Sequence, residues 1–273
     1  MEVDTSEARP YQIPFIALVL FLLMTFGLAW SIFALFILLP EPLTAIFGAL
    51  SGRHPLFILA VWAPAIAALI IVTYQAGIGG LRRYLTRLFL WRCPPAWYVF
   101  LFVGIPLLFF GGSALKGNLF ADLFPFPSLQ SLVLALVVTL VIGPIEEFGW
   151  RGLALPLLQR RFAPIWAGLI LGVIWGFWHL PAFLLSGTPQ SAWSFTPFLV
   201  GSVAISVIVT PLFNASRGSI LLPLLVHFQL NNPLWSDAQP YDTLFFVAAA
   251  ALAVWVNRKT MFSRKYAVTA VIP

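Results

Sequence analysis

Charge is scarce in this chain. Only 9% of its 273 residues are Asp, Glu, Lys or Arg, and 61% are hydrophobic. A soluble domain carries about 25% charged residues. That shortage excludes a water-soluble fold, because a chain of this size cannot hide so much apolar surface from water. Cysteine is nearly missing too. Cys93 stands alone, so no internal disulfide can form. The alternating pattern of an outer-membrane barrel is absent. No internal repeat is visible either, which argues against a transporter built from two related halves. The net charge of +6 would suggest nucleic acid in a soluble protein. Here the basic residues fall in short loops, where membrane topology and lipid headgroups account for them, and no nucleic-acid partner is expected.

What the chain does contain is long apolar runs, and runs of about 18 residues or more read as membrane helices. The expected fold is all-α: a polytopic transmembrane bundle of about eight spans with an interfacial amphipathic helix. The spans are placed at 14–39, 56–74, 97–110, 129–158, 165–185, 195–213, 220–235 and 244–256. The interfacial helix is placed over 79–92, where Arg82, Arg83, Arg87 and Arg92 alternate with Leu, Tyr, Phe and Trp. The chain then divides into an N-terminal tail (1–13), N-terminal membrane helices with this basic segment (14–128), a core set of helices (129–257) and a basic C-terminal tail (258–273). Arginines at 82–92, 160–161, 217 and in the C-terminal cluster fall on one side of eight spans. By the positive-inside rule both termini are cytoplasmic. The expected location is the cell (plasma) membrane, with the lipid bilayer as a standing partner.

Against this background two adjacent carboxylates stand out. Nine residues are acidic. Seven of them, including Asp122, Asp237 and Asp242, lie in the tail or loops. Glu146 and Glu147 alone follow a long uncharged run into membrane depth. Ionisable groups there are costly and mark functional sites by default. Two of three histidines, His179 and His227, also lie in spans, and Asn231 follows His227 by one helical turn. Buried polar groups need partners, and these would satisfy one another.

The two glutamates cannot share a task, since adjacent helical positions point about 100° apart. Glu147 and Arg151 stand at i, i+4 in the favourable order and can form an ion pair. Glu146 is then free to face a cavity and suits a general base. A water between Glu146 and an imidazole would be a hydrolytic nucleophile, with His227 and Asn231 as donors to an oxyanion. Two histidines and one glutamate (Glu146, His179, His227) would also match a catalytic zinc set, although no His-Glu-x-x-His helix is present. The metal-free mechanism, without a cofactor, is preferred. Trp150, Trp166, Trp175 and Trp178 read as packing and interfacial belt.

Glu146-Glu147-x-x-x-Arg151, an aromatic four residues before a histidine (Trp175, His179) and His227-x-x-x-Asn231 resemble the three motifs of the CPBP family. That family comprises CAAX prenyl endopeptidases of the Ras-converting-enzyme type and their bacterial Abi relatives. The resemblance covers roughly 129–232 and departs at Trp175, where the family usually has Phe. It implies that 129–257 is a protease core. It implies that Glu146 and His179 activate water, that His227 and Asn231 form the oxyanion hole, and that Glu147, Arg151 and Trp175 support them. The function implied is an intramembrane endopeptidase cutting a prenylated CAAX-type or hydrophobic peptide near the cytoplasmic face. A non-catalytic immunity or peptide-binding protein of the same fold is the alternative. A small-solute or proton transporter is the third reading.

Overall fold

The computed structural model describes residues 13–119 and 124–273. Most of the acidic tail and Asp122 fall outside the described residues. The described chain is helical throughout, with no strand. Helix α1 (Ala17–Leu38) leads to the short α2 (Pro40–Phe47) and α3 (Pro55–Val61), then to α4 (Ala63–Leu85) and a 3-10 turn over Thr86–Phe89. Helices α5 (Pro95–Val99) and α6 (Ile105–Lys116) join through a π-helical stretch. A broken rod follows: α7 (Leu129–Ile142), a 3-10 turn at Pro144–Glu146, α8 (Glu147–Gly149), a π stretch at Trp150–Ala154, and α9 (Leu155–Gln159). Then come α10 (Pro164–Trp178), α11 (Phe195–Ala215), α12 (Leu221–Leu230), α13 (Asp242–Val256) and α14 (Arg258–Met261).

Six of the helical stretches among the described residues are long and apolar enough to cross a membrane: Ala17–Leu38, Ala63–Phe89, Pro95–Lys116, Leu129–Gln159, Pro164–Leu184 and Phe195–Ala215. The spans expected at 220–235 and 244–256 correspond to shorter apolar helices, α12 and α13. At 1.5 Å per residue α12 is about 15 Å long, half of a hydrocarbon core of about 30 Å. It therefore stops inside the bundle. Helices α10 and α11 pack closely because α10 carries glycine every fourth residue. A Cβ at Gly168 would lie 2.7 Å from Thr210 Oγ1, and one at Gly172 would lie 2.7 Å from Val203 Cα. Small residues at this spacing let backbones approach in lipid. Helix α7 is the opposite case, since none of its residues is buried. A tie to the bundle is Trp62 Nε1 donating to the Val141 carbonyl at 3.1 Å.

The basic segment differs from the expected interfacial helix. It is the end of α4, continuing past a kink at Gly77, whose φ is 62°. Arg82 and Arg83 are exposed, but Arg87 is only 2% exposed. Its guanidinium donates to four carbonyls: Gly218 at 2.6 Å, Gly152 at 2.6 Å, Val271 at 2.8 Å and Arg151 at 3.4 Å. Beside it the Tyr84 hydroxyl donates to the Phe148 carbonyl. Arginine suits this place because its planar fork offers five donors that remain charged. The C-terminal tail also departs from a free basic tail. Gln159 Nε2 donates to the Val268 carbonyl at 2.8 Å and Arg160 Nε to that of Thr269 at 3.0 Å. Val271 and Ile272 are buried in the core. Arg160 also donates to the Ile13 carbonyl, so the start of α1 and the C-terminus meet at the arginine-bearing end of the bundle. Replacing Arg87 by Met should lower stability by about 3–5 kcal/mol, since it strips donors from buried carbonyls. Arg87→Lys should recover little of it. Melting of the detergent-solubilised variants measures both.

Candidate active site

Helix breaks place the site. The rod carrying the two glutamates stops being α-helical at Gly143-Pro144, tightens into a 3-10 turn through Glu146, and widens into a π stretch after Gly149. Proline at the start of the turn cannot donate to the preceding helix. This irregular backbone lies where α10 and α12 also end. His179 caps α10 and Asn231 caps α12. Non-helical backbone at membrane depth is tolerated where it is buried in protein or lines a cavity. Here it lines a cavity of about 490 Å³, whose walls include Glu146, Trp175, His179, His227 and Asn231. The structure thus brings together on one cavity the four residues expected to act. Glu147 and Arg151 sit behind them.

Glu146 is 3% exposed and not bare. Its Oε2 accepts from Trp175 Nε1 at 3.0 Å and from Trp150 Nε1 at 3.2 Å. The expectation that Trp150 and Trp175 merely pack is therefore corrected, because indole N–H groups serve a buried carboxylate. A phenylalanine at 175 could not donate this bond. Trp166, 56% exposed, does face outward as a belt residue would, while Trp178 is buried.

Glu147 is 1% exposed and carries two contacts. Its Oε1 accepts from Arg151 Nη1 at 2.8 Å and lies 2.8 Å from His227 Nδ1. The ion pair with Arg151 is the i, i+4 contact read from the sequence. The bond to His227 was not legible there, since a separation of 80 residues does not say which carboxylate an imidazole meets. Arg151 is 1% exposed, and its guanidinium lies 4.8 Å from the centre of the Trp175 ring, a cation–π contact. Trp175 therefore touches both halves of the motif.

The two imidazoles are oriented by their Nδ1 atoms. His179 Nδ1 lies 2.8 Å from the Trp175 carbonyl. A carbonyl only accepts, so Nδ1 holds the proton and a neutral His179 presents a bare Nε2. Rings of Trp175, Trp178 and Phe198 surround it with centroids 4.8–5.4 Å away. His227 gives Nδ1 to Glu147, so its Nε2 is the remaining nitrogen. Gly143 defines the space in front of it. A Cβ at Gly143 would collide with Asn231 Nδ2 and lie 3.4 Å from His227 Nε2. The backbone there is ordinary right-handed helix, so glycine is required by close approach and not by dihedral angle. Two potential donors from α12 thus converge on the point where α7 ends.

The site stands away from the arginine-bearing end of the bundle. Helix α10 begins just after Arg160 and Arg161, and α12 just after Arg217. The functional groups lie at the far ends of these helices, about 22 Å and about 15 Å along them. The cavity runs on from there to the loops at Gln190 and Asp237. Among the described residues no group of three His, Cys, Asp or Glu side chains is disposed to hold a metal ion. Glu146, His179 and His227 line one cavity without meeting at one point. Zinc does not fit the arrangement as it stands.

Comparison with known proteins agrees with the motif resemblance. Residues 128–232 match the family described as type II CAAX prenyl endopeptidase Rce1-like. The chain is also 30% identical over 169 residues to CAAX prenyl protease 2 of Methanococcus maripaludis. That match covers 57% of this chain and 60% of the archaeal protein. The Glu-Glu-x-x-x-Arg segment, both membrane histidines and Asn231 all fall inside residues 128–232, and that segment carries the likeness to the Rce1-like prenyl endopeptidase family.

Proposed function

We propose that this protein is an intramembrane endopeptidase that hydrolyses a peptide bond of a prenylated CAAX-type or hydrophobic peptide. One observation carries the reading: a single cavity inside the bundle is lined by Glu146, His179, His227 and Asn231. In this mechanism a water sits between Glu146 and Nε2 of His179. It loses a proton to that pair as its oxygen adds to the peptide carbonyl carbon. The resulting oxyanion lies before Gly143, facing Asn231 Nδ2 and His227 Nε2. Nε2 donates when His227 carries both protons, and Glu147 balances that charge through Nδ1. Collapse breaks the C–N bond, and the proton held by Glu146 and His179 passes to the leaving amine. Trp150 and Trp175 hold the carboxylate in place, and Arg151 holds Glu147. The protein works as an integral protein of the cell membrane with both termini cytoplasmic, and the bilayer delivers the apolar substrate.

Three outcomes test this reading. Glu146→Ala and His227→Ala should each lower kcat/KM on a farnesylated or plain hydrophobic peptide by about a hundred- to ten-thousandfold. Membrane insertion should be retained in both, and the melting temperature of the Glu146 variant should stay near that of the wild type, while His227→Ala, which breaks the contact with Glu147, should melt lower. Full activity of the Glu146 variant would remove the general base. Gly143→Ala should lower kcat by about tenfold or more with KM little changed, because the added methyl displaces the oxyanion donors. An unchanged kcat would show that these donors act elsewhere. Cleavage by purified protein should be insensitive to phenanthroline. Inhibition that added zinc reverses would replace the metal-free mechanism.

A further inference from the structure

The far end of the cavity has a chemistry of its own. Among the described residues its lining holds three carboxylic residues, Glu146, Asp237 and Asp242, and no lysine or arginine. Asp237 is already partnered. Its Oδ2 pairs with Lys116 Nζ at 2.7 Å, and its Oδ1 accepts from the Gln239 amide at 3.1 Å. Asp242 is different. It is the first residue of α13 and only 4% exposed. Its Oδ2 accepts from Gln239 Nε2 at 3.3 Å, and the Thr243 amide lies beside the carboxyl group. Its Oδ1 is buried without a hydrogen-bond partner. Three more lining groups share this condition: Gln190 Oε1 and Gln239 Oε1, which are acceptors, and Trp178 Nε1, a donor beside His179.

Buried acceptors without donors are costly, and a buried carboxylate more so. Acceptors of this kind, on residues at a cavity end whose lining holds no lysine or arginine, call for a donor from outside. We infer that Asp242, with Gln239 beside it, forms a subsite for a positively charged nitrogen of the bound peptide, a lysine or arginine side chain or a free amine. The inference rests on the proposed peptide substrate and extends it. One end of the peptide's reacting segment lies at Glu146, and a basic group further along it reaches the 239–242 corner. The same acidic corner disfavours a free C-terminal carboxylate, which fixes the direction in which the chain lies.

The test uses the full-length protein in detergent and pairs of synthetic hydrophobic peptides. The members of each pair differ only in lysine or norleucine at one position, moved along the sequence. At one position lysine should tighten binding and lower KM by about tenfold, as a charge-assisted hydrogen bond would. Asp242→Asn should erase the difference, while the norleucine peptide is bound and cleaved as by the wild type. Asp242→Glu, which keeps the charge, should retain part of the preference. Equal handling of lysine and norleucine at every position overturns the inference, as does a preference that survives Asp242→Asn. Loss of binding of the norleucine peptide in both variants assigns Asp242 to structure and overturns it too. Fluorescence polarisation reads binding apart from cleavage. Discrimination in binding without any cleavage keeps the subsite and defeats the protease reading.

Discussion

A carboxylate inside an apolar bundle has to be answered, and the contact of Glu147 with Arg151 and His227 is the answer on which this site depends. One oxygen holds both partners at 2.8 Å. The group is buried on every side, so removing one member leaves an uncompensated charge, a loss of about 3–5 kcal/mol in such settings. The triad also crosses the bundle. Glu147 and Arg151 belong to the broken rod, and His227 belongs to α12. Their contact fixes the depth and rotation of α12 against the rod, and hence where Asn231 stands. It also leaves Glu146 to other donors. The indoles of Trp150 and Trp175 take that part, and Trp175 in turn stacks on Arg151.

Much of this was readable from residue type and spacing. Scarce charge and long apolar runs determine a helical membrane protein. The i, i+4 spacing determines the Glu147–Arg151 pair, and elimination leaves Glu146 for the cavity. What was not readable shares one cause: a side chain's direction depends on tertiary contacts that spacing does not encode. Arg87 sits among arginines whose spacing describes an interfacial helix, and its neighbours Arg82 and Arg83 do face out. Only the approach of Gly152, Gly218 and Val271 shows that it faces in. Tryptophan likewise carries two signals, apolar body and N–H donor. In a sequence rich in both membrane and aromatics, the first conceals the second.

Arg87 and the Glu147 triad are also linked. Arg87 binds the carbonyls of Arg151 and Gly152, in the π stretch that follows Glu147. A π turn leaves carbonyls out of register with the α ladder. An external donor relieves that cost. The arginine-bearing end therefore supports the reacting end through the rod, and the folded-back C-terminus joins in at Val271. This accounts for a basic segment and a C-terminal tail being built into the core when topology alone would leave both at the surface.

The location of the chemistry follows from the same reasoning about backbone. In lipid, helices that stop at mid-depth expose carbonyls and amides that no water satisfies. Among the described residues, helices break at Gly143-Pro144, at His179 and at Asn231, and these three breaks open on one cavity. The breaks make the cavity necessary, and the cavity makes the breaks tolerable. Each break also delivers a polar side chain that an unbroken apolar helix would have no reason to carry there. Glu146, His179 and Asn231 are in this sense the residues found where regular structure fails. The absence of a side chain at Gly143 is what lets two of the breaks approach each other.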